Sequence, residues 1–357
     1  MRFIRIDSLK EDMVVGRSVF GTRGVLILRE GNKLQSRHIS ALSELGYPGI
    51  YIFDKLSDGI MSDDLIDDEK RFSAIYMVKE LYKSSGKGRN GKQMLAIYKE
   101  VESIVSEIVD SIFADDRAVV NVPLLRSYDE YTYRHSVDVS VMAVTLGKAL
   151  KLSKDQLLDL AKAALFHDMG KMFVPITILN KPGRLDDEEM ATMRKHAQFG
   201  HDFTWGTLNQ KSLINRAVLH HHERWDGKGY PEGLKGNRIP IFSRIIAMAD
   251  VFDAISSTRS YKAAQIATEG YEYIMANAGT HFDPELVEIF SKTIAPFPVG
   301  LTVKLSNGLS AVVTRNHASF MARPIIRMFD PKEPEVFEFI DLAHDPDFLS
   351  VTIVATE

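Results

Sequence analysis

His220–Pro231 reads H-H-H-E-R-W-D-G-K-G-Y-P. Three consecutive imidazoles run straight into a loop punctuated by Gly227, Gly229 and Pro231. A solvated helix end can carry such a run, but histidine is concentrated upstream as well. Of the 11 histidines, seven (His135, His167, His196, His201, His220, His221 and His222) fall between positions 135 and 222. Neutral imidazole is the commonest metal ligand, and histidines with carboxylates nearby read as a metal site.

On either side of this stretch the chain reads as helices with short connections. Apolar residues recur at helical steps over 135–150, 155–166, 186–203, 211–222, 240–257, 263–277 and 284–293. Ser153 stands at the start of the second, Gly170 follows its end, and Asp283-Pro284 opens the last. One metal-ligating residue type then falls on each of several helices: His135, His167-Asp168, His196, His221-His222 and Asp250. Bundles build di-metal sites in their cores in this way. Neighbouring residues on a helix point about 100° apart. The adjacent His167-Asp168 pair can therefore address two ions, with the carboxylate of Asp168 bridging them.

Residues 1–56 read as a small β/α unit, with strands at 3–6, 14–20, 24–28 and 50–53 and a short helix over 36–45. It suits either a structural appendage or a regulatory or docking module for protein partners. Residues 57–127 form an acidic linker and helical connector; six acidic residues lie between Ser57 and Glu69. The connector's apolar stripes read as core or as a homodimer interface. Its glycine-rich interruption, Ser84–Gly91, lacks the phosphate-loop pattern G-x-x-x-x-G-K-[ST]. Residues 128–297 hold the helices with the chemistry, and 298–357 alternate apolar and polar residues as a small C-terminal β unit. The fold class expected is mainly α, a multi-helix bundle with small β units at both termini.

Composition narrows the classes of function. Apolar residues make up 45% of the chain and charged residues 26%, as in ordinary globular proteins. A net charge of -4 supplies no field to gather nucleic acid, so none is expected as partner. No apolar run approaches the ~18–20 residues of a membrane span. The chain has no cysteine, which excludes disulfides, thiolate nucleophiles and Cys-ligated zinc. The opening M-R-F-I-R-I-D lacks a signal peptide's apolar core, so a cytoplasmic location is expected.

The order His135, His167-Asp168, Asp250 resembles the HD superfamily of metal-dependent phosphohydrolases. More narrowly, H-D-M-G-K, His196 and H-H-E-R-W-D-G-K-G-Y-P resemble the HD-GYP family. The likeness continues through I-L-N-K-P-G-R-L (178–185), R-I-I-A-M-A-D-V-F-D-A (244–254) and T-R-S-Y-K (258–262), and covers about half the chain. It implies an HD-type helical bundle and a phosphodiesterase for the bacterial second messenger cyclic di-GMP. The reaction implied is attack by a metal-bridging hydroxide, giving linear pGpG and also GMP. The alternatives left open are a phosphohydrolase for another cyclic dinucleotide or nucleotide, and a non-enzymatic cyclic di-GMP receptor.

The resemblance assigns metal ligation to His135, His167, Asp168, His196, His221, His222 and Asp250. It leaves His220 and His201 outside the set and makes Asp253 a supporting partner. Nitrogen and oxygen donors without thiolate suit two divalent ions, iron or manganese first. Asp168 and Lys171 are the expected catalytic residues, Lys171 reaching a phosphate or leaving oxygen. Arg259 and Lys262 are expected on the second phosphate, and Tyr230 stacked on a guanine. Relatives with three ions carry Glu four residues before the first histidine; Tyr131 stands there, with Glu130 before it, so two ions are expected.

Overall fold

The computed structural model describes residues 1–21, 25–61, 65–85, 91–115, 120–121, 131–257, 263–317, 320–330 and 333–356. Twelve helices are present among them: α1 Ser36–Glu44, α2 Asp68–Ser84, α3 Gly91–Ala114, α4 Tyr131–Ala149, α5 Lys154–Phe166, α6 Ile176–Leu179, α7 Asp187–Arg194, α8 His196–Gly206, α9 Ser212–His220, α10 Ile241–Ser257, α11 Ala263–Ala276 and α12 Pro284–Thr293. The architecture is mainly α, as expected.

Two apolar layers hold the bundle. One joins α2 and α3 to α4 and α5 through Val78, Leu81, Val105, Val109, Val144 and Leu165. The other packs α4 and α5 on α9, α10 and α12 through Leu146, Leu160, Ile214, Ile245, Phe252 and Phe290. Start signals act as read: the Ser153 hydroxyl accepts from Gln156 N with a reciprocal side-chain bond, and Asp283 caps α12 ahead of Pro284.

The stretch read as one helix over 186–203 is two, α7 and α8, joined at Lys195 with φ -65° and ψ -13°. No glycine or proline marks this break. Tertiary contact governs it, because the 169–173 turn presses Gly170 onto the His196 carbonyl, where a Cβ would lie 1.8 Å from the oxygen. Gly170 therefore permits a close approach and is not a helix stop.

The N-terminal unit has β1 Arg2–Arg5, β2 Val14–Val15, β3 Val19–Phe20, β4 Leu26–Leu28 and β5 Gly49–Phe53. The strand read over 14–20 is split: β2 joins the β1–β5–β2 sheet and β3 pairs with β4. Gly16 lies against the Ile52 backbone, where a Cβ would sit 2.8 Å from its carbonyl carbon, and the chain turns away there. After a short parallel pair, β6 Val120–Asn121 with β7 Ile294–Ala295, five antiparallel strands follow. These are β8 Thr302–Leu305, β9 Ser310–Arg315, β10 Ile325–Asp330, β11 Glu333–Asp341 and β12 Ile353–Thr356.

The two terminal units share a core. Phe3 and Tyr51 pack with Phe297, Leu301, Val303 and Ile340, and Phe3 N donates to Gly300 O at 2.8 Å. The buried Arg327 donates to the carbonyls of Leu56 and Asp58 at 2.7 and 2.8 Å. Arg17 in turn ties the N-terminal unit to α2 through Asp68 at 2.6 Å. Among the described residues no helix is long and apolar enough to cross a membrane.

Candidate metal centre

Five helices deliver the site. His135 lies in the second turn of α4 and Asp250 in the middle of α10. α5 ends at Phe166, so His167 keeps helical backbone while Asp168 begins the tight turn over 169–173. α8 opens on His196, and α9 closes before His221 and His222. Because Gly170 lets that turn sit against α8, the Asp168 carboxylate meets the His196 ring.

The seven residues form two sets. His135, His167 and Asp250 make one; Asp168, His196, His221 and His222 make the other; within each, ligand atoms lie within 4.8 Å of one another. Asp168 stands between them. Its Oδ2 is 3.3 Å from His167 Nε2 and 3.7 Å from His135 Nε2, while its Oδ1 is 3.6 Å from His196 Nε2. Asp250 Oδ1 completes the first set at 3.1 Å from His135 Nε2 and 3.8 Å from His167 Nε2.

Hydrogen bonds on the far side of each ring decide which nitrogen faces inward. Nδ1 of His167, His196 and His221 lies 2.7, 2.8 and 2.6 Å from the carbonyls of Ala164, Met193 and Val218. A carbonyl only accepts, so each Nδ1 carries the hydrogen and each Nε2 turns a lone pair to the centre. His135 Nδ1 is held by Asp253 Oδ2 at 2.7 Å.

These lone pairs converge on one another. His196 Nε2 is 3.3 Å from His221 Nε2 and 3.1 Å from His222 Nε2. His167 Nε2 and Asp168 Oδ1 are buried with no hydrogen-bond partner. Buried acceptors facing acceptors are costly unless a cation lies among them. The donor set therefore fits divalent metal.

The electrostatics agree. Burial by itself raises the Asp168 carboxyl, but the Lys171 ammonium and His167 outweigh it and hold it well below its ordinary range. Burial is likewise outweighed at Asp250, chiefly by the hydrogen bond from His135. Burial pushes His196 down, His221 well down and His222 to about 3. His135 goes the other way, to about 10, because Asp250 and Asp253 overcome its burial. Ionised carboxylates beside the neutral imidazoles of His196, His221 and His222 make a cation-seeking pocket.

Residues 119–286 match the HD domain family. The chain carries an HD domain. The motif resemblance to the HD-GYP branch holds with it. An HDG"Y"P protein from Bdellovibrio bacteriovorus shares the fold: it aligns with 80% of this chain and 97% of its own, at a TM-score of 0.52 and 17% identity. A cyclic di-GMP phosphodiesterase of Pseudomonas aeruginosa is 38% identical over 226 residues, 63% of this chain and 54% of that protein. A 3'3'-cGAMP-specific phosphodiesterase 2 of Vibrio cholerae is 38% identical over 159 residues, 44% and 30% of the two chains. The chain thus spans about half the length, or less, of these curated relatives.

The loop after the histidines shows why the HD domain carries that sequence. The buried Glu223 carboxylate accepts from Glu232 N and Leu234 N at 2.8 and 3.0 Å, and Tyr230 N donates to His222 O at 3.2 Å. Gly229 lies so close to this turn that a Cβ would sit 2.4 Å from Arg224 N. Trp225 N and Asp226 N donate to the carbonyls of His281 and Thr280 at 3.0 and 2.8 Å, anchoring the loop to the segment before α12. The Tyr230 ring, expected on a guanine, stacks one face on His222 with centroids 4.7 Å apart. The Arg194 guanidinium lies over the Tyr230 ring at 5.2 Å. In this arrangement Tyr230 orients the His222 ring.

Lys171 donates to Asp168 Oδ2 at 2.5 Å and stays charged beside the carboxylate. His201 pairs with Asp202, and the buried His220 lies 3.8 Å from Glu223; neither joins the two sets. Arg259, Lys262 and Glu130 lie outside the described residues, as does the Tyr131 side chain. Sequence reasoning missed Glu223 and Arg194. No spacing rule points to either, since both act on the loop through folded contacts.

Proposed function

We propose that this chain hydrolyses cyclic di-GMP, opening a phosphodiester to give linear pGpG and then GMP, with two divalent ions, iron or manganese, at the centre. The carrying observation is Asp168: one carboxylate presents an oxygen to each of two histidine-rich sets. Two divalent ions bound there would activate water and offset charge on the phosphodiester oxygens.

The chain's own residues supply the rest. The three Nδ1–carbonyl bonds and Asp253 hold the imidazoles in the ligating tautomer. Lys171 adds a fixed positive charge beside Asp168, within reach of a phosphate or leaving oxygen. Tyr230 and Glu223 keep His222 in place. Arg259 and Lys262 are assigned to the second phosphate of the substrate. The nitrogen and oxygen donors without thiolate support iron or manganese.

A second reading, hydrolysis of 3'3'-cGAMP, draws on the Vibrio cholerae relative. A pure receptor is disfavoured because every ligand of both sets is in place. Metal-loaded protein incubated separately with cyclic di-GMP and 3'3'-cGAMP, with products resolved by chromatography, tests the reading. Faster conversion of cyclic di-GMP supports it, and preference for 3'3'-cGAMP replaces it with the second. Intact substrates with iron and with manganese overturn both.

A further inference from the structure

The C-terminal sheet assembles a second cluster of ligating residues. Arg315 on β9, Ile325 on β10 and Asp341 on β11 face one another in a row across three strands. His317 lies two residues past the β9 end of that row, and Asp341 closes β11. A turn then brings His344 back, with Asp345 N donating to Asp341 O at 2.9 Å and Ala343 N to Asp341 Oδ1 at 3.0 Å. Asn316 steadies the approach of His317 by donating to Phe297 O at 3.0 Å. We propose that His317, Asp341 and His344 bind one divalent transition-metal ion, separate from the pair in the HD domain.

Several observations carry this. One ligand atom from each residue lies within 4.8 Å of the other two. His317 Nε2 is 2.9 Å from Asp341 Oδ1, and His344 Nδ1 is 3.0 Å from Asp341 Oδ2. Ligands about 2.1 Å from a tetrahedral ion stand about 3.4 Å apart, so small side-chain rotations suffice. The two rings meet edge to face at 5.1 Å, and Phe320 packs edge-on against His344 at 5.5 Å, which orients both imidazoles.

Two imidazoles with one carboxylate favour zinc, nickel or copper over magnesium or calcium. Three protein ligands leave positions for water. The His344 side chain is 59% exposed, so an ion reaches the cluster from solvent. The site lies on the sheet that shares a core with the N-terminal unit, far in sequence from the HD motifs.

The test is zinc content. Wild type, His344→Ala and Asp341→Asn are dialysed against low micromolar zinc, and ions per chain are measured by elemental analysis. The variants should each carry one ion fewer than wild type, with cyclic dinucleotide hydrolysis by manganese-loaded protein unchanged. Anomalous scattering from wild-type crystals should place zinc between the three side chains. His344 is exposed, so His344→Ala remains informative if Asp341→Asn fails to fold. Equal zinc content in wild type and His344→Ala, with no anomalous peak, would show a hydrogen-bonded cluster only and overturn the proposal.

Discussion

Asp253→Asn separates the two halves of the HD centre. Asp253 sits one turn beyond Asp250 on α10, buried, with Oδ2 2.7 Å from His135 Nδ1. An amide keeps the size of the side chain but removes the anion that makes His135 a stronger donor. Loss of such a supporting partner lowers metal affinity about 10–100-fold, or roughly 1.4–2.7 kcal/mol. The effect should fall on the His135, His167 and Asp250 set alone. His196 and His221 take their orientation from the carbonyls of Met193 and Val218. Calorimetric titration of metal-free protein with manganese should show two binding events from the HD domain in wild type. In the variant one should keep its affinity and the other weaken, with hydrolysis recovering at high metal. Equal weakening of both events, or of neither, would refute the division into two sets.

Further outcomes follow from the same geometry. Lys171→Ala should retain both ions and lower kcat by about 100-fold, as for loss of one preorganised charge at a reacting oxygen; loss of metal by elemental analysis would make Lys171 structural. Arg71→Ala strips the buried Asp138 of its ion-pair partner between α2 and α4. Denaturant melts should show a loss of about 3–5 kcal/mol, while a well-packed apolar pair at both positions restores most of it; an unchanged midpoint contradicts the burial argument. In metal-free protein His135 is raised from 6.5 to about 10. A raised histidine stabilises fully below its unfolded value and loses that contribution as pH climbs through the folded one. The thermal midpoint of metal-free protein should therefore fall between pH 6.5 and 10, and manganese binding at pH 7.5 should release about one proton. A flat profile and no proton release would contradict the assigned charge on His135.

The sequence revealed the centre because metal ligation restricts residue type. Histidine and aspartate, one or two per helix, survive any error in helix ends, so reading 186–203 as one helix cost nothing at His196. Roles that depend on contact were hidden. The break at Lys195 follows from Gly170 meeting the His196 carbonyl, a contact between segments some 26 residues apart. Tyr230 belongs on His222 because Glu223 folds the loop back, and no period in the sequence announces that. The splitting of 14–20 reflects Gly16 against Ile52, again a tertiary contact. His317 and Asp341 are brought together by strand register, which the alternation of apolar residues does not specify.

Metal-loaded protein mixed with cyclic di-GMP, with ions per chain counted on the same sample, tests the central claim. Under the proposed function pGpG is the first product, the HD domain holds two ions, and Asp168→Ala loses both turnover and ions. Full turnover in an Asp168→Ala protein that still holds both ions would contradict it.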